Sequence, residues 1–252
     1  MNMNRWIKNM KHGLVAMGVM ALAVSNVTNA ESMTKAQGDA LLKELREIKQ
    51  LLARPQQQMP TTPMAQVRPE SLSVKAGGTY VLGKSDAPLT MVEFTDYECP
   101  FCKRFYDTTF QTLKKNYIDT GKLKFISRNM PLPMHPHALK AAQAAMCAGE
   151  QGKYWEMKDA LFKNQNKLEV EGLTTYASAL MLDSDVFKIC LSDTTREKAI
   201  NDEANYINSL GVNGTPAFVL GKSVGDAVEG RKIIGAQPVA VFENAINEML
   251  EH

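Results

Sequence analysis

Two cysteines three positions apart, Cys99 and Cys102, stand where a buried strand gives way to a helix, and few features restrict a fold more. Thr90 to Phe94 reads Thr-Met-Val-Glu-Phe, apolar and β-branched as a buried strand requires. Lys103 to Asp119 then spaces Phe105, Phe110, Leu113 and Tyr117 along one helical face. The cysteine pair therefore sits at a helix N-terminus, where unpaired N–H groups and the dipole favour negative charge. Pro100 suits the first helical turn, because the N–H it lacks would have had no partner there. Cys99 is expected to ionise more readily than a free cysteine and to act as the attacking sulfur. Cys102, one turn in, is expected to be more buried and to resolve. Such a pair opens and closes a disulfide by exchange with other thiols. Half of a zinc site is the other reading of a CxxC, but zinc usually takes a second CxxC or paired histidines. The remaining cysteines, Cys147 and Cys190, lie 43 positions apart without that spacing. No metal and no cofactor is expected.

The N-terminus has the pattern of an export signal. Arg5, Lys8 and Lys11 precede an apolar run from Leu14 to Val24, too short to span a bilayer comfortably, and Ser25 to Ala30 is small and polar. Residues 1–30 are therefore read as a signal peptide cut after Ala30. Thr28 at the −3 position leaves an uncleaved anchor open, and the absence of cysteine near the cut argues against a lipoprotein. The chain holds 29 basic and 27 acidic side chains. Without the three basic residues of the leader the balance is close to neutral, and nothing points to nucleic acid. Four cysteines beyond the leader suit an oxidising compartment, here the periplasm.

Residues 31–54 are expected to form a self-association helix. Gly38, Leu41, Leu45, Ile48 and Leu52 alternate spacings of three and four, the a/d seam of a coiled coil. Glu44 at g and Lys49 at e can bridge parallel helices, and Leu42 and Leu51 widen the stripe. Leu at a with Ile at d leans beyond two strands, so a homodimer or homotrimer is expected. A single amphipathic helix folded back on its own domain is the alternative. Residues 55–70, with Pro55, Pro60, Pro63 and Pro69 among glutamines, read as an extended linker. The globular part, 71–252, offers strands at Tyr80–Leu82, Leu89–Phe94 and Leu123–Arg128, then a helical block at about 137–209. A hairpin over Ala217–Leu220 and Lys232–Ile234 follows. A last helix, Pro238–Leu250, turns Val241, Phe242, Ala245, Ile246 and Met249 inward. This is an α/β chain with a helical insertion.

Four stretches make a resemblance specific: Glu93–Cys102 (Glu-Phe-x-Asp-Tyr-x-Cys-Pro-x-Cys), the Pro131–Ala138 loop, Cys147–Trp155 (Cys-Ala-x-x-Gln-Gly-Lys-Tyr-Trp) and Gly211–Phe218 (Gly-Val-x-Gly-Thr-Pro-Ala-Phe). From about Val74 onward the chain resembles the DsbA-like thiol–disulfide oxidoreductases, which implies a thioredoxin fold carrying an inserted helical domain. The resemblance makes Thr215-Pro216 the cis-proline position beside the redox pair. A cis bond is affordable only before proline, and an edge there would offer the Thr215 backbone to an extended peptide and keep metal from the thiols. It makes Glu93 the buried acid beneath the pair, able to take the Cys102 proton through water, since burial favours a neutral carboxyl. It implies a disulfide between Cys147 and Cys190, worth about 4 kcal/mol by loop closure, with two separate buried thiols as the alternative. Its partners would be unfolded or misoxidised exported proteins and a membrane redox protein, a DsbB-like oxidase or a DsbD-like reductase. Phe101 departs from the family's strongest oxidases, which carry histidine there, so a milder Cys99 and a less oxidising disulfide are expected.

Two further surfaces are suggested. Met130, Met134, His135 and His137 could bind copper through soft and imidazole ligands, or form a rigid loop near the pair. Tyr97, Phe101 and the 217–220 strand could frame an apolar surface for unfolded substrate. A non-enzymatic holdase or copper-handling protein on the same scaffold is therefore the rival function.

Overall fold

A computed structural model describes residues 34–53, 70–77 and 80–251, without the side chains of 50–53. The proposed leader at 1–30, the linker over 55–69 and the side chain of Leu52 lie outside the described residues.

The chain divides into two units, 1–66 and 67–252. In the first, helix α1 (Lys35–Ala53) begins with a reciprocal cap. The Thr34 hydroxyl accepts the Gln37 N–H at 3.3 Å, and Gln37 Oε1 accepts the Thr34 N–H at 2.8 Å, so two otherwise orphaned donors are satisfied. Leu41, Leu42, Leu45 and Ile48 are each about half exposed.

The second unit is built on a six-stranded sheet: β1 (Ser71–Lys75), β2 (Val81–Leu82), β3 (Leu89–Thr95), β4 (Leu123–Asn129), β5 (Ala217–Val224) and β6 (Ala227–Ile234). Their spatial order is β1-β6-β5-β3-β4-β2. Only β3 and β4 run parallel, joined by a crossover helix; the other neighbours are antiparallel. Every residue of β3 is buried, as expected of a central strand covered on both faces. Strand β1 escaped the sequence because Ser71–Lys75 is short and mostly polar; it is an edge, exposed at three of its five positions.

The crossover helix α2 runs over 100–118 and is not uniformly α-helical. Two π turns, Tyr106–Phe110 and Lys114–Ile118, interrupt it. Each i→i+5 turn adds a residue to the repeat, so Phe105 and Phe110, five apart, both pack inward with ring centroids 6.4 Å apart. Helices α3 (Ala138–Glu150), α4 (Tyr154–Lys163), α5 (Val170–Ala179), α6 (Ser184–Leu191) and α7 (Thr194–Ser209) form the insertion between β4 and β5. Asp183 and Asp193 cap α6 and α7 with their carboxylates. Cys147 on α3 and Cys190 on α6 are bonded, S–S 1.96 Å. Helix α8 (Val239–Leu250) closes the fold. It buries Phe242, Ala245 and Ile246, but Val241, expected inside, is 41 % exposed at the flank of the stripe.

Candidate functional site

The sulfurs lie where β3 ends and α2 begins. Cys99 is the N-cap residue and Pro100 the first helical residue, so the backbone N–H groups of the first turn point toward the thiols. Both cysteines are free; Cys102 is fully buried, and Cys99 keeps 3 % exposure. The Cys99 thiol lies 3.4 Å from the Thr215 carbonyl oxygen, and the Thr215–Pro216 bond is cis, as the sequence suggested. The Cys99 pKa is lowered to about 6, first by the neighbouring Cys102 thiol and then by Thr215 and the N–H groups of Cys102 and Phe101, against the cost of burial. Burial and the neighbouring sulfur push Cys102 the other way. Attacking and resolving thiols are thus separated by environment alone, although the two titrate as a pair.

Glu93 is buried on β3, but it is not a lone acid. Lys158, reaching in from the inserted helix α4 and itself 0 % exposed, places Nζ 2.5 Å from Glu93 Oε2 and 2.7 Å from Ser127 Oγ. Ser127 donates to Glu93 Oε2 at 3.0 Å, and Tyr97 reaches Ser127 through the Tyr154 hydroxyl. The ammonium also faces the rings of Phe125, Trp155 and Phe162 at 5.6–5.8 Å. The cation beside Glu93 has a physical reason: an ionised carboxylate is costly to bury without one. Its hydrogen bonds go to Lys158 and Ser127 rather than to either sulfur. Glu93 Oε1 is buried and has no hydrogen-bond partner among the described residues.

Two side chains outside the cysteine motif hold its backbone. Gln165, after α4, donates to the carbonyls of Tyr97 at 2.8 Å and Cys99 at 2.9 Å. Asp96 accepts the N–H groups of Glu98 and Cys99 on one oxygen and that of Leu132 on the other, where His135 Nδ1 also lies at 2.8 Å. Sequence reasoning quoted Asp96 only as part of the Glu93–Cys102 motif and singled out neither Gln165 nor Lys158, which stand among other polar residues, Asn164 and Asn166 or Glu156 and Asp159, and so carry no distinguishing signal.

Other expectations fall apart in space. Tyr97 and residues 217–220 are buried and frame no surface; Phe101, 52 % exposed, does. It lines an apolar groove of about 570 Å³ with Arg104, Thr108, Thr215 and Ala236, and the Arg104 guanidinium sits 5.1 Å over its ring. Of the copper candidates, Met130 is buried, Met134 is 72 % exposed and the His135 ring is engaged by Asp96.

The chain belongs to the thioredoxin family, whose model matches residues 75–247. Within it, the chain is a DsbA-like protein. Alpha-DsbA1 of Wolbachia pipientis matches with a TM-score of 0.61 and 29 % identity over 68 % of this chain and 90 % of that one. The thiol-disulfide exchange protein alpha-DsbA2 of the same organism matches at 0.56 and 26 %, over 67 % and 85 %. Among curated relatives, the Na(+)/H(+) antiporter NhaA 3 of Salinispora tropica is 36 % identical over 168 residues, 66 % of this chain but 24 % of that protein. The chain thus spans about a quarter of the length of such relatives, and among the described residues no helix is long and apolar enough to cross a membrane.

Proposed function

We propose that this chain is a periplasmic thiol–disulfide oxidoreductase that forms and reshuffles disulfides in other exported proteins through Cys99 and Cys102. The observation that carries this is the unequal pair: a Cys99 sulfur near pKa 6 at a helix N-cap, with a buried partner of raised pKa behind it. In the oxidised enzyme a substrate thiolate attacks Cys99 Sγ. The Cys99–Cys102 bond breaks, and Cys102 leaves with the electron pair and takes a proton. A second substrate thiolate then attacks the substrate sulfur of the mixed disulfide and releases Cys99 as thiolate. The substrate has lost two electrons and the enzyme has gained them. In the reduced enzyme the Cys99 thiolate opens a wrong substrate disulfide, and Cys102 rescues stalled complexes. Glu93 takes the Cys102 proton through water when Cys102 attacks to release a stalled complex, Oε1 being the available acceptor. The Thr215 backbone beside the sulfur and the Phe101 groove receive the extended substrate chain.

The exposed Leu41, Leu45 and Ile48 of α1 support self-association, with Leu52 continuing the seam and the stretch to residue 70 as spacer. Several sites on one oligomer favour isomerisation. A DsbB-like oxidase or a DsbD-like reductase resets the pair, and residues 1–30 direct export. Cys102→Ser, expressed in cells, should trap exported cysteine proteins as mixed disulfides identifiable by mass spectrometry; trapping none, while Cys99 alkylates as an ordinary thiol, refutes the reading. Deleting residues 31–54 should yield a monomer that still oxidises a dithiol peptide but no longer refolds a scrambled substrate. Isomerisation by a proven monomer would remove the role given to the helix.

A further inference from the structure

One buried residue, Asp96, ties both redox cysteines to the Pro131–Ala138 loop, Cys99 through its carboxylate and Cys102 through its backbone N–H. Asp96 Oδ1 accepts the N–H of Glu98 at 2.7 Å and of Cys99 at 3.2 Å. Oδ2 accepts the Leu132 N–H at 2.7 Å and meets His135 Nδ1 at 2.8 Å. The Asp96 backbone N–H points at Cys102 Sγ, 3.4 Å away. Glu98 repeats the connection, its Oε2 accepting the His137 N–H at 2.7 Å. The Asp96 side chain is 0 % exposed, and His135 is the one cation-forming side chain in ion-pair contact with it among the described residues. The imidazole is 19 % exposed, so it trades protons with water where its carboxylate partner cannot.

We propose that His135, acting through Asp96, is a positioning residue that sets the acidity of Cys99, so that the proton on the imidazole and the charge on the sulfur rise and fall together. This rests on Cys99 being the attacking sulfur. With His135 neutral, a bare negative charge sits on the group that holds the Cys99 N–H, and the sulfur is pushed toward the thiol. With His135 protonated, the dyad is neutral and the thiolate is opposed less. The ionisable groups acting on the ring are Asp96, Cys99 and Glu98, all acidic and all on the redox loop. Burial works against the imidazolium, yet these three outweigh it and hold His135 above its ordinary value. Asp96 is itself raised by burial, against the bonds from His135, Leu132 and Glu98. Phe101 between the cysteines offers no cation, so the loop behind the pair supplies it.

Linkage makes this testable from both ends, because the coupling must be reciprocal. In the full chain, the Cys99 thiolate is titrated by its absorbance near 240 nm, and His135 by its imidazole proton resonance, assigned by its loss in His135→Gln. His135→Gln should raise the Cys99 midpoint by about half a unit or more, roughly a threefold loss of thiolate below the midpoint, and make the disulfide less oxidising against glutathione. His135→Arg, a permanent cation, should keep the midpoint low. Oxidising the wild type to the Cys99–Cys102 disulfide, which removes the sulfur's charge, should lower the His135 midpoint by the interval that His135→Gln adds to Cys99. An identical His135 titration in both redox states overturns the proposal, as do equal Cys99 midpoints in the Gln and Arg variants. A wild-type Cys99 that titrates as an ordinary thiol overturns instead the reading on which it rests.

Discussion

Lys158 and Glu93 should behave as one buried unit, and a double-mutant cycle measures it. Lys158→Met keeps the volume and apolar stem but leaves the Glu93 carboxylate in a closed interior with only the Ser127 hydroxyl for company. Breaking a buried pair from one side costs about 3–5 kcal/mol, because the surviving charge is uncompensated. The reverse change, Glu93→Gln, should cost less. The stranded ammonium still has Ser127 Oγ at 2.7 Å, an amide oxygen in place of the carboxylate, and three ring faces within 6 Å, each worth up to about 2 kcal/mol when desolvated. The double variant leaves no charge at all and should be no worse than Lys158→Met alone, giving a coupling at least as large as the cost of Glu93→Gln by itself. Urea unfolding of the oxidised proteins reads all three values, with slopes checked for constancy. Singles that add within about 0.5 kcal/mol, or a Lys158→Met variant as stable as the parent, would show that the two charges do not compensate each other.

The bond between Cys147 and Cys190 closes a long loop within the insertion, and changing both to alanine should remove about 4 kcal/mol of stability in urea; a loss under about 1 kcal/mol would mean that the bridge does not restrain the unfolded chain. Alkylation of reduced protein should accelerate as pH rises through about 6 and level off above, following the Cys99 thiolate; a midpoint near the ordinary cysteine value, about 8.5, contradicts it. Because the folded pKa is depressed, the thiolate stabilises the reduced native state fully above the unfolded thiol's pKa, and that advantage is lost as pH falls toward 6; urea midpoints of reduced wild type against Cys99→Ser should converge over that window. Phe101→His should lower the Cys99 midpoint further and make the disulfide more oxidising, and no change in either would remove the role given to the intervening position.

What was legible in the sequence and what was not divides along one physical line. Cys99-Pro100-x-Cys102 and the apolar β3 strand were readable because strand and cap chemistry are local, each depending on neighbours within a few positions; Thr215-Pro216 by itself reads as a turn proline and took its cis role from the family resemblance. The partners that tune the site are not local. Lys158 stands 65 positions from Glu93 and Gln165 66 from Cys99, both brought in by a helical insertion whose docking no periodicity discloses. His135 was visible, yet without its contact to Asp96 it read only as a copper ligand or as part of a rigid loop near the pair. The same division explains the wrong surface. Tyr97 and the 217–220 strand are apolar, as a substrate platform would be, but apolar residues beside a redox pair equally form the core beneath it; only the packing of α4 over Tyr97 and the central place of β5 decide, leaving Phe101 outside. In the function proposed here the local motif confers the exchange chemistry, and the distant contacts set its strength. A chain with the same motif but a different insertion should keep thiol exchange and differ in Cys99 acidity. Exchanging Asp96, His135, Lys158 and Gln165 should consequently shift the titration midpoint and the potential more than it shifts the ability to form a mixed disulfide at a pH where the thiolate is fully formed.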